Sequence, residues 1–96
     1  MADASKNYSV STFSAPTGVW TPVIAPISCS GFSLVGSAAL TLASDPNNSA
    51  TQKALGAGTQ EFVPAAKGVR WFPGAVVLWV QPSGGSAVTV TATFVL

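Results

Sequence analysis

The sequence predicts an all-β fold: a small β-sandwich or jelly-roll-like barrel with an extended N-terminal arm. Three observations carry this. Seven or eight short β-prone runs are separated by Gly, Pro, Ser and Asn turn signals. No stretch repeats its apolar residues at helical spacing for long enough to make an amphipathic helix. The C-terminal stretch Ala75–Leu96 joins two strongly β-prone runs through the turn sequence QPSGGS, and its second run alternates with period two.

Taken in order, Met1–Asn7 is polar and reads as the start of the arm, with no apolar run behind it to make a secretory signal. Tyr8–Phe13 alternates as a short strand, with Tyr8, Val10 and Thr12 on one face. Val19–Ile24 is β-prone, but Pro22 cannot donate to a ladder, so the run is an edge strand or an extended arm. Ile27–Val35 is a strand with a bulge or bend expected at Gly31, and Ala38–Ala43 is the next. Ser44–Ser49 is a loop in which Asp45 and Asn47 can bond their own backbone and Pro46 fixes φ. Ala50–Gly58 is ambiguous, because Gly56 and Gly58 would stop any helix that Ala54 and Leu55 favour. Thr59–Val63 is a strand, and Val69–Phe72 a brief pairing segment. On this reading residues 1–26 form an arm and a proline-rich edge segment, and residues 27–96 the sandwich.

The last two runs read as a hairpin. With a loop at Pro82–Gly85, Val80 pairs with Ala87, Trp79 faces Val88 and Val77 meets Val90. Trp79, Val77, Val88, Val90 and Phe94 then share a core face. Val76, Leu78 and Val80 lie beside Thr89, Thr91 and Thr93 on the other, a face too apolar for open solvent, so a second layer or a partner covers it.

Composition narrows the function. Hydrophobic residues make up 48% of the 96 residues and charged residues 7%, with a net charge of +1; soluble domains carry roughly 25% charged residues. The polar surface is Ser and Thr, which suits a protein that works assembled. Neither a nucleic-acid partner nor a membrane is favoured, since there is no basic stripe and prolines interrupt the uncharged span 7–44. Histidine is absent, so Ser-His-Asp and Cys-His arrangements are impossible and the commonest metal ligand is missing. Of the carboxylates Asp3, Asp45 and Glu61, the last two are conceivable as a glycosidase pair, but the turn signature already explains Asp45. Cys29 reads as a buried, inert thiol in a chain made in a reducing cytoplasm. No enzyme, cofactor or metal is expected.

Several features point to contacts. Lys67, Arg70 and Trp71 form a basic-aromatic cluster, for which the plain reading is a solvated loop with one ring tucked into the core. The row Thr89, Thr91, Thr93 resembles, on one strand, the threonine arrays of ice-binding β proteins, though threonine is also simply a good strand residue. Trp20, beside Pro22 on an edge, is a candidate interface anchor.

The order of signals over Ile27–Leu96 resembles small β-sandwich structural proteins of tailed-phage virions. Phe32–Gly36 closes a strand, Asp45–Thr51 is a polar loop, Leu55–Thr59 carries an L-x-A-G step, and strands follow at Gln60–Val63, Val76–Val80 and Val88–Leu96. The resemblance implies a decoration or cement protein bound to the major capsid protein of the assembled head and to copies of itself. The alternatives are a tail- or head-fibre carbohydrate-binding module and a head–tail junction protein. The expected interface residues are Tyr8, Trp20, Pro22, Ile24, Arg70, Trp71, Val76 and Leu78.

Overall fold

The computed structural model describes residues 8–96; the expected arm start, Met1–Asn7, lies outside the described residues. The strands are β1 (Tyr8–Ala15), β2 (Thr21–Ile24), β3 (Gly31–Gly36), β4 (Leu40–Ala43), β5 (Gln52–Leu55), β6 (Glu61–Pro64), β7 (Val76–Pro82) and β8 (Val88–Val95). They form two antiparallel four-stranded sheets, ordered β1-β8-β3-β6 and β2-β7-β4-β5. Pairing is nested: β1 with β8, β2 with β7, β3 with β6 and β4 with β5. The chain is thus one antiparallel ribbon turned back at the loop after β4, then wrapped so that successive pairs alternate between sheets. This is jelly-roll wiring, and it places an all-β sandwich where the sequence predicted one.

The ribbon turns at residues 44–51, and local chemistry fixes that turn. The Asp45 Oδ1 accepts from the Asn47 amide at 3.0 Å, and the Asn48 side chain accepts from the Ala50 amide at 3.1 Å. Thr51 Oγ1 lies 2.8 Å from the carbonyls of both Asp45 and Asn48. A single 3₁₀ turn, Ser49–Thr51, follows, and β5 begins at once. The ambiguous span Ala50–Gly58 therefore holds the end of the 3₁₀ turn, the four-residue strand β5 and a turn at residues 57–58, and no α-helix.

The core lies between the sheets and is wholly apolar. Phe32, Phe94, Leu34, Leu40, Val23, Val80 and Val90 are its largest fully buried side chains, and no polar or charged side chain is buried among the described residues. Phe32 is central: its ring centroid is 5.4 Å from those of both Trp71 and Phe94. Such tilted aromatic contacts add to the burial term. On β8 the expected alternation holds, with Val88, Val90, Ala92 and Phe94 buried.

Three expectations are corrected. First, β7 and β8 do not pair as a hairpin; they lie in different sheets, and residues 83–87 carry the chain across the core. Without the hairpin, the parity of β7 is set independently of β8. Leu78 and Val80 point inward, while Trp79 stands opposite Pro22 and Ala43 on the outer face. Turning the smaller side chains inward leaves the wide indole half-buried outside. Second, Gly31 is not a bulge, since β3 keeps unbroken register with β6 and β8 there. Its lack of a side chain makes room for Phe62, whose Cζ would lie 2.9 Å from a Cβ at that position. Third, residues 8–24 are not an arm apart from the sandwich. The strand read at Tyr8–Phe13 is β1, and of the two readings of Val19–Ile24 the edge strand holds, as β2; both strands end the sheets of the sandwich.

Candidate docking surfaces

The two sheets meet solvent along two lateral seams. One seam runs between the edge strands β5 and β6, where Lys53 Nζ donates to Glu61 Oε2 at 2.7 Å. The other runs between β1 and β2 and opens into an apolar groove of about 280 Å³. Phe13 and Ser11 from β1, Pro22, Val23 and Ile24 from β2, and Phe94 from β8 line it. Phe13 has inward parity on an edge strand, so no strand among the described residues completes its burial on the far side.

A second surface is the outer face of the β1-β8-β3-β6 sheet. Register places Val10, Thr93, Ser33 and Phe62 in one row across all four strands, and Thr12, Thr91 and Val35 in the next. Thr12 and Thr91 bring their hydroxyl oxygens within 3.5 Å of each other. No Asp, Glu, Lys or Arg of these strands falls on that face, because Glu61 shares the inward parity of Leu34. Tyr8, Val10 and Phe62 are all more than half exposed there. Large apolar side chains exposed together on a sheet face whose described residues carry no charge make it a candidate contact surface.

The expected interface residues do not form one patch. Tyr8 is on the outer face just described. Pro22 and Ile24 line the groove, and Ile24 pairs in register with exposed Val76. Leu78 is a core residue, 8% exposed, so its assignment to an interface is overturned by the β7 parity. Trp20 is half-buried in the loop before β2. Trp71 packs on Phe32, and its backbone bridges Cys29. Exposed Arg70 donates from Nε to Ser28 Oγ at 3.0 Å and from Nη2 to the Ser28 carbonyl at 2.9 Å. The basic-aromatic cluster thus ties the 25–30 loop to the 65–75 loop. Sequence reasoning missed Phe13, Val35 and Phe62. Phe62 had a signal in its place on an alternating run, whereas Phe13 gains its role only from the nearness of β2.

The chemistry-bearing groups lie apart. Asp45 is engaged in its own loop and Glu61 with Lys53. Cys29 is buried; desolvation raises its thiol pKa, while the Arg70 charge and a backbone hydrogen bond from Gly31 act in the opposite sense. A thiol held protonated is a poor nucleophile. Among the described residues no three of His, Cys, Asp and Glu come together as metal ligands, and no helix is long and apolar enough to cross a membrane. Compared with models of known protein families, with curated proteins and with solved structures, the chain matches none of them.

Proposed function

We propose that the protein is a non-enzymatic structural component of a tailed-phage virion, a decoration or cement protein bound to the outside of the assembled head lattice. The observation that carries this reading is the uncharged outer face of the β1-β8-β3-β6 sheet with Tyr8, Val10 and Phe62 exposed on it. A flat, neutral Ser/Thr and apolar surface complements a repeated lattice through shape and burial, with little dependence on salt. The order of strand and turn signals supports the same reading. The jelly-roll wiring is compatible with it, but that wiring also serves lectins and cupins and so selects no function by itself. A ligand that binds only the assembled shell stabilises the shell by mass action, which is the work such a protein would do.

The carbohydrate-binding alternative draws less support. It needs aromatic rings presented on one rim, whereas Trp71 is turned onto Phe32 and Trp20 is half-buried.

The test is co-sedimentation of the purified chain with heads lacking it, beside a Val35→Glu variant. Val35 is half-buried in the middle of the outer face, on a strand paired on both sides. Binding that saturates for the parent chain and is lost in the folded variant is the expected result. Equal binding of both, or none by the parent, contradicts the proposal.

A further inference from the structure

We infer that the free edge of β1 is a self-association site, pairing antiparallel with β1 of a second copy about a two-fold axis through Ser11. The inference stands apart from the lattice reading, because it rests on backbone pairing alone.

Four strands end the two sheets: β1, β6, β2 and β5. Natural proteins protect such edges by keeping them short, or by placing charges, prolines or bulges on them. β5 and β6 have four residues each and carry Lys53 and Glu61. β2 has four residues, Pro22 and a register shift between Val23 and Ile24. β1 has none of these devices. It is eight residues long, YSVSTFSA, uncharged, without proline, and in unbroken register with β8.

The hydrogen-bonding parity of that edge can be read from its neighbours. The Ser37 amide donates to the Thr89 carbonyl, and the Ala65 amide to that of Ser30. In an antiparallel ladder, alternate residues direct both backbone groups to the same side. The odd residues of β8 therefore face β3 and its even residues face β1. The odd residues of β1 bond β8, leaving the N–H and C=O groups of Tyr8, Val10, Thr12 and Ser14 on an edge that no strand among the described residues pairs.

Those four residues define the pairing. Opposite residues share a face, so even must meet even. Centring on Ser11 sets Tyr8 against Ser14 of the second copy and Val10 against Thr12. All four free residues are then used in both chains, giving about eight new backbone hydrogen bonds. The two sheets merge into one of eight strands, and the two uncharged outer faces become continuous. A second copy fits this edge because the pattern is its own complement under two-fold rotation.

The test uses the full chain in analytical ultracentrifugation at about 100 μM, where even weak strand pairing populates a dimer. The parent chain is expected to dimerise. Val10→Pro removes an edge amide that bonds nothing within the described chain, and should raise the dimer dissociation constant about tenfold or more while the β circular-dichroism signal stays. Register is tested by charge, without proline. Val10→Lys with Thr12→Lys sets like charges opposite each other across the axis and should abolish the dimer, while Val10→Lys with Thr12→Glu sets opposite charges there and should restore it. Ser11→Cys places two thiols across the axis with Cα atoms about 4.5 Å apart, within disulfide reach, and should cross-link on mild oxidation where Ser9→Cys does not. A parent chain that stays monomeric overturns the inference. So does a dimer that survives the Lys/Lys pair undiminished, which would move the contact to the outer face or to the groove. Dimerisation without binding to heads would refute the lattice proposal and leave this one standing.

Discussion

Replacing Gly36 by alanine would build a methyl group into occupied space. The new Cβ would lie 2.7 Å from Leu40 Cδ1, 3.0 Å from Leu40 Cγ and 2.8 Å from the Ala38 carbonyl oxygen. Leu40 is fully buried and cannot swing away, and the carbonyl belongs to the turn joining β3 to β4. Overpacking of this kind costs about 3 kcal/mol, the upper part of the usual range. Losing glycine's freedom in the unfolded chain returns about 0.5–1 kcal/mol. The net loss of roughly 2 kcal/mol lowers the melting temperature by about 8–16 °C for a domain of this size. Gly31→Ala is the matched control. Its Cβ would meet Phe62 Cζ at 2.9 Å and the Val63 carbonyl oxygen at 3.3 Å; Phe62 is 57% exposed and its ring can rotate into solvent, and the carbonyl contact is only slightly tight, so the net cost should be about 1 kcal/mol, below that of Gly36→Ala. Urea melts of the parent and both variants decide it. A Gly36→Ala chain as stable as the parent, or less damaged than Gly31→Ala, would refute the reasoning about which neighbours can move.

Phe32→Ala removes a fully buried ring that touches two others, and should cost about 3–5 kcal/mol in a urea melt, enough to leave a chain of this size partly unfolded at 25 °C. Lys53→Ala breaks an ion pair whose lysine is 61% exposed, and should move the same midpoint by less than about 1 kcal/mol. Cys29 should resist thiol reagents in the folded chain and react at once in denaturant. Its raised pKa means that the folded chain holds the thiol proton more tightly than the unfolded chain. The stability linked to it is therefore complete below the unfolded thiol's pKa and is lost as pH rises through the folded value. The denaturation midpoint should fall above about pH 9, and less steeply in Cys29→Ala; identical alkaline slopes would contradict the assignment.

Much of the fold was legible because it depends on local chemistry. The alternation of β8 fixes its buried face whatever it pairs with, and the Asp45–Asn48 signature makes its turn without help from elsewhere. Strand partners were not legible in the same way. An apolar alternation says which side chains go inward, not which sheet receives them. Two runs around a Pro/Gly/Ser turn fit a hairpin as well as they fit a crossing between sheets. That one ambiguity reversed Leu78 and Trp79. The docking surfaces depended on the same long-range information. Proline in β2 and its absence from β1 could be read directly, but the groove needs Phe13, Pro22 and Phe94 from three strands and two sheets. Gly31 shows the limit from the other side: a glycine in a strand reports a close approach or a bend, and only Phe62 across the pairing distinguishes them.

The most direct test of the structural-protein account is densitometry of purified particles, setting this chain's band against that of the major capsid protein. The account predicts a simple ratio to the capsid subunit, as a component repeated across the lattice requires. A ratio of a few per cent or less would move the chain to a fibre or the head–tail vertex, and absence from the particles would contradict the account outright.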